Sequence, residues 1–115
     1  MAFDPGLAQI LRDALADLPI TEKKMFGGLA FLLYGHMVCG VHKGGAMVRV
    51  GKTAYPAAIG LPGVSPMMFT GKPMVAMVDV TDASVQDDAV RGQLLAMALA
   101  TVRALPPKVA KPKKG

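Results

Sequence analysis

Residues 25–50 read MFGGLAFLLYGHMVCGVHKGGAMVRV, and the order of apolar runs and turn signals within them decides the fold. Met25 to Tyr34 and Met37 to Val41 are apolar runs parted by Gly35-His36, a hairpin signal. Lys43-Gly44-Gly45 supplies a second turn before Ala46 to Val50. That pattern predicts a three-stranded antiparallel meander. Side chains alternate across a strand, so Phe31 and Leu33 point to one side while Leu32 and Tyr34 point to the other. Both sides are apolar. One face is expected to meet helices, and the other, with Leu32 and Tyr34 as candidate contact residues, to be covered by a second copy of the chain.

Upstream, Asp4-Pro5 is a helix start, an Asp cap followed by proline at the first helical position. Leu7, Ile10, Leu11, Leu15 and Leu18 then recur at helical spacing until Pro19. Downstream, Thr53 to Ile59 reads as a short helix and Gly60 to Pro66 as a turn-rich connector. Phe69 lies near a strand that turns at Gly71-Lys72, and Pro73 opens another strand, Met74 to Val80. Ser84 with Asp87 three residues later fits the start of a last helix. Its stripe is Leu94, Leu95, Ala98, Val102 and Leu105, closed by Pro106-Pro107. The predicted order is α-β-β-β-α-β-β-α, an α+β, two-layer fold with helices packed on an antiparallel sheet. It occupies residues 1–107 as one domain, followed by a disordered basic tail over 108–115.

A hydrophobic fraction of 52% excludes disorder for the body of the 115-residue chain. The core must be built from Ala, Val, Leu and nine Met, because Trp is absent and aromatics make up 5%. Thirteen Lys and Arg oppose eight Asp and Glu, a formal charge of +5. Four of the lysines, Lys108, Lys111, Lys113 and Lys114, sit in the last stretch; thirteen minus four leaves nine basic against eight acidic residues elsewhere. The body is nearly neutral, and no broad basic face is implied. Cys39, the single cysteine, has no intramolecular disulfide partner. The start of the chain lacks the basic segment of a secretory signal. The longest run without formal charge, Met25 to Val41, falls short of the ~20 residues that span a bilayer. The expectation is a cytoplasmic protein with no membrane segment.

Several motifs invite a chemical reading. His36, Cys39 and His42 are zinc-ligand types, but along an extended strand positions 36 and 42 share parity while 39 points away, and a fourth ligand is lacking. Cys39 as a nucleophile would need His42 as its base, on the opposite strand face, so a small buried hydrophobe is the favoured reading. Gly51-Lys52-Thr53 resembles the end of a phosphate-binding loop, yet the required upstream glycine position is Ala46. Asp79, Asp82, Asp87 and Asp88 cluster at the start of the last helix, where the helix dipole stabilises negative charge. Lys23-Lys24 before the first strand, Arg49 on the third and Lys72 in a turn are candidate anion or nucleic-acid contacts. The tail lysines Lys108, Lys111, Lys113 and Lys114 can add a non-specific grip on phosphates. No catalytic residue, metal site or cofactor is expected.

Lys24-Met25-Phe26-Gly27-Gly28 with Leu29-Ala30-Phe31, Gly35-His36-Met37, Cys39-Gly40-Val41, Met47-Val48-Arg49-Val50-Gly51 and Phe69-Thr70-Gly71-Lys72-Pro73-Met74 resembles the TfoX/Sxy N-terminal domain family. The likeness extends through Leu105-Pro106-Pro107-Lys108. It implies a YgaC/TfoX-N-like architecture, an antiparallel sheet with helices against it. The family takes its name from a regulator of bacterial competence genes, which carries an additional C-terminal helical domain; 115 residues leave no space for one, so a standalone domain is expected. In place of that regulator's later aromatic-rich strand stands Val75-Ala76-Met77-Val78-Asp79-Val80. The functional expectation is a non-enzymatic homodimeric module working through protein contacts. The competing expectations are a transcription-associated nucleic-acid binder and, third, a small metal protein or enzyme centred on His36, Cys39 and His42.

Overall fold

The computed structural model describes residues 4–25, 27–69 and 71–105, with the side chains of Met25, Phe69 and residues 72–75 outside that description. The expected tail with Lys108, Lys111, Lys113 and Lys114, and the Pro106-Pro107 stop, lie outside the described residues. The elements run α1 (Pro5–Ala14), β1 (Ile20–Met25), β2 (Gly28–Leu33), β3 (His36–His42), β4 (Gly45–Arg49), α2 (Tyr55–Ala58), β5 (Val64–Phe69), β6 (Lys72–Val80), α3 (Asp82–Gln86) and α4 (Asp88–Arg103). The strands form a single six-stranded sheet in the order β1-β2-β3-β4-β6-β5, with every neighbouring pair antiparallel. The α+β class and the antiparallel sheet with packed helices are as the sequence predicts.

Two details differ from the expected element order. The meander has four strands, not three. The run read as one strand from Met25 to Tyr34 is broken at Gly27, whose φ of 75° turns the chain back on itself. Residues 20–25 therefore form an edge strand of their own, pairing Ile20 with Leu33 through Met25 with Gly28. The last helix is also split. Asp87 takes an extended conformation (φ −81°, ψ 116°), ending α3 and capping α4, and its Oδ1 accepts from the N–H groups of Ala89 (2.9 Å) and Val90 (3.1 Å). A side chain that captures those donors competes with continuation of the preceding helix. The cap of α3 is Thr81, whose hydroxyl accepts from the Ser84 N–H, so the expected Ser84/Asp87 signature straddles a junction rather than opening one helix.

At α1 the local chemistry is as read: the Asp4 carboxylate accepts from the Gly6 N–H at 2.7 Å, with Pro5 at the first position. Leu7, Leu11 and Leu15 turn to the interior, each 2% exposed. The β2–β3 hairpin turns at Tyr34-Gly35, one residue earlier than expected. Both residues have positive φ (54° and 83°), the twist-matched geometry of a two-residue hairpin loop. Tyr34 therefore stands in the turn, half exposed, and not on the strand face shared with Leu32.

Register pairs settle the two faces. Phe31, Cys39, Val48 and Val78 align across β2, β3, β4 and β6, and Leu29, Val41, Ala46 and Val80 form the adjacent row. All of these belong to one core cluster with Leu7, Leu11 and Leu15 of the α1 segment, Val85 of α3, and Val90, Leu94, Leu95, Ala98 and Val102 of α4. The helices thus cover one face, with α4 across β3 and β4 and α1 against β3 and α3. Where Thr101 of α4 meets the end of β4, its hydroxyl lies 2.8 Å from the Val50 carbonyl and 3.0 Å from that of Met97. A space in this layer between Leu11, Val48, Val85 and Leu94 is about 10 Å³. That is too tight for anything beyond a single water.

Such a closed core predicts the cost of opening it. Phe31, fully buried, should lose about 3–5 kcal/mol on change to Ala, and Asp87→Ala about 1 kcal/mol through loss of its cap. Urea unfolding followed by circular dichroism measures both; a Phe31→Ala loss smaller than that of Asp87→Ala would contradict the placement of the core.

Candidate functional site

The face of the sheet turned away from the helices is the surface with the most distinctive chemistry. Its central row is Lys23, Ala30, Gly40, Met47, Asp79 and Ser65, one residue from each strand in spatial order. The neighbouring rows add Thr21, Leu32 and Met37 on one side, with Arg49 opposite Met77. Ala30 is fully buried and Met47 is 9% exposed, yet neither joins the core cluster on the helix side. Their cover is made locally. A methyl group added at Gly40 would come within 3.0 Å of the Met47 ε-methyl and 3.3 Å of the Met37 ε-methyl, so two methionine ends lie flat over the glycine. Leu32, Met37 and Met77 remain half-buried, and Met68, on the β5–β6 hairpin, is 55% exposed. Unbranched thioethers form a deformable apolar layer of the sort used at adaptable contacts.

One polar contact is built into this face. His42 reaches from β3 across β4, where its register partner Gly45 offers no side chain, to Asp79 on β6; Nε2 lies 2.7 Å from Oδ1 of Asp79 and 3.2 Å from the Ala46 carbonyl. The Gly44 N–H donates to Nδ1 at 3.0 Å, which leaves the ring proton on Nε2 to be donated toward Asp79. The ring is thus fixed at both nitrogens. Asp79 still exposes 43% of its side chain.

The candidate residues read from the sequence are dispersed. Lys23 and Lys24 are within β1, not before the first strand, and alternate onto opposite faces: Lys23 joins the open face with Ala30, Lys24 the helix side with Leu29. Arg49, on β4, shares the open face but stands three strands from β1, about 14 Å at ordinary strand spacing. Lys72 opens β6 rather than sitting in the turn, and its side chain is outside the described set. Among the described side chains, Lys23, Lys24 and Arg49 do not form one basic patch. Of the proposed contact pair, Leu32 is on the open face and Tyr34 is in the hairpin turn.

The His36, Cys39 and His42 group is also separated. The register of β2 and β3 shifts between Phe31 and Leu32, so His36 pairs with Leu33 and no longer shares the parity of His42. Cys39 faces the helices and is fully buried, and desolvation pushes its thiol up to about 12. A thiol so buried stays protonated and out of reach of substrates. Among the described residues no group of three or more His, Cys, Asp or Glu side chains is placed to hold a metal ion.

A shallow groove of about 300 Å³ runs between the α1 segment and β1, lined by Arg12, Leu15, Leu18, Ile20 and Glu22. Its charges answer each other: Arg12 Nη2 donates to Glu22 Oε1 at 2.8 Å and Nε donates to Oε2. That hydrogen-bonded guanidinium holds Glu22 below the usual carboxylate range. The groove ties helix to edge strand; Asp13, which also lines it, accepts from Gln9 Nε2 at 2.7 Å.

The sequence of residues 13–102 matches the family model of the TfoX N-terminal domain, and the chain belongs to that family. No curated protein and no solved structure gives a match to it. Among the described residues no helix is long and apolar enough to cross a membrane.

Two measurements check this geometry. Cys39 should resist an aromatic disulfide reagent in the folded protein and react at the rate of unfolding in denaturant; rapid labelling of native protein would refute its burial. Glu22 binds its proton more weakly folded than unfolded, so its pairing stabilises the fold above its ordinary pKa of 4.5 and that contribution is lost as pH falls through the lower folded value. The melting temperature of the native chain should fall more steeply below about pH 4.5 than that of Glu22→Gln. Parallel curves would show that the pair contributes nothing in solution.

Proposed function

We propose that this TfoX-N domain is a non-enzymatic interaction module that works as a homodimer, with the open sheet face as its contact surface. The observation that carries the reading is the methionine layer: Met37 and Met47 over Gly40, with Leu32 and Met77 beside them, on a face that the described helices leave bare. Apolar side chains gathered on one exposed face mark sites of association. Lys23 on the edge strand β1, with Arg49 and Asp79 beside the methionines on β4 and β6, keeps this face soluble. A regulatory role in transcription, as the family name suggests, would use this module as an assembly element.

The experiment is size-exclusion chromatography with light scattering on the full chain at micromolar concentration. A dimer is expected, converted to monomer by Leu32→Asp, which places an unpaired carboxylate in the apolar centre. Tyr34→Asp, in the turn, should leave the mass unchanged. A monomeric native chain would overturn the reading, as would a Leu32→Asp variant that stays dimeric.

A further inference from the structure

The open face also presents methionine sulfur that an oxidant can reach. We infer that Met37 and Met77 form a modification site for hydrogen peroxide, and that their sulfoxides return the homodimer to single chains. The second half of this inference rests on the reading of the open face as the contact surface.

Burial decides which sulfur atoms are within reach. Cys39 is fully buried on the helix side, so the one thiol is shielded. Met47 is 9% exposed, and Met97 packs against the core cluster. Met37 and Met77 are half-buried on β3 and β6, on the face the described helices leave bare, and neither packs on that cluster. The sulfur lone pair attacks one oxygen of hydrogen peroxide, forming the S–O bond as the O–O bond breaks. The hydroxide that leaves takes the proton of the transferred oxygen and becomes water. Sulfur loses two electrons and peroxide gains them, and a flexible apolar side chain becomes a polar one.

The charged groups on this face give the oxidised state its own hydrogen bonding. Among the described residues the ion pairs are Arg12–Glu22, His42–Asp79 and Arg91–Asp88, so Asp79 is engaged by His42 while Arg49 keeps its donors. Arg49 stands directly opposite Met77 in the β4–β6 register. Cross-strand partners hold their Cβ atoms about 4.5–5.5 Å apart, which brings a sulfoxide oxygen on Met77 within reach of the guanidinium. On β3, Met37 extends over Gly40 beside the Met47 methyl, at the apolar centre of the face. Oxidation there sets an acceptor among the methyl ends. With Arg49 drawn to the new oxygens, closing the contact would bury a charge and polar atoms where apolar surface met before. Lys23, on the edge strand, is outside this group.

The test compares the full chain before and after hydrogen peroxide. Peptide mass spectrometry reads sulfoxide at each methionine, and sedimentation equilibrium reads the dimer dissociation constant. Met37 and Met77 should oxidise alongside Met68, which is 55% exposed, and well ahead of Met47 and Met97. The dissociation constant should rise about tenfold or more. Methionine sulfoxide reductases, one for each sulfoxide epimer, should restore it. The double variant Met37→Leu, Met77→Leu keeps apolar character and volume, so it should dimerise as the native chain does and ignore peroxide. Circular dichroism confirms that each form is folded. Sulfoxide at other methionines while these two survive would overturn the site. Sulfoxide at both with an unchanged constant, or a double variant as sensitive as the native chain, would overturn the switch and leave the dimeric module intact. A native chain that is monomeric before peroxide would overturn the module and the switch together.

Discussion

A six-stranded sheet has two faces, and the described helices cover one. That asymmetry governs the rest of the molecule. The α1 segment, α3 and α4 close over Phe31, Cys39, Val41, Val48, Val78 and Val80. The opposite face must be finished by side chains rising from its own strands. Methionine suits that task, being apolar, unbranched and able to lie along the sheet rather than stand away from it. Gly40 is part of the same solution: a side chain there would strike the Leu29 carbonyl, 2.8 Å away, and the space left is used by two methyl ends. The abundance of methionine is therefore divided between filling gaps and surfacing a bare face.

Much of this was legible in the sequence, and the lapses have physical causes. The helix start at Asp4-Pro5 and the apolar β2, β3 and β4 runs declare themselves by capping chemistry and alternation. β1 does not. Thr21 to Lys24 is polar at every position because an edge strand has one neighbour; on its helix side Glu22 pairs with Arg12 and Lys24 is exposed, so neither enters the core. The turn that separates it from β2 hides inside a continuous apolar stretch, marked by Gly27. Tyr34 misled by type: a tyrosine with φ of 54° is uncommon, and Gly35 and His36 looked the better turn pair. The break at Asp87 leaves no distinct mark in the sequence, because a helix can carry Asp in its first turn as readily as at its cap.

The open face shows the same mixture. Its methionines were readable in principle from alternation, since Met47 and Arg49 interleave with Ala46, Val48 and Val50, and Met77 and Asp79 with Val78 and Val80. The reach of His42 to Asp79 was not readable. Those residues are 37 positions apart, and what joins them is the insertion of β6 beside β4 together with a glycine on the strand between. The metal-like triad fails for an equally local reason, the shifted register at Phe31/Leu32 that moves His36 away from the parity of His42.

The two edges of the sheet bear on how large any assembly grows. Unpaired strand edges are templates on which chains add without limit. Here one edge, β1, carries Glu22, Lys23 and Lys24 in succession, and the other, β5, contains Pro66, which has no N–H to donate, beside a register shift between Pro66 and Met68. Charge blunts the first edge, and proline with a bulge blunts the second. Growth sideways into a fibre is discouraged at both ends. On the proposed reading, a face that meets its own duplicate is consumed by a single encounter, which makes such an assembly finite.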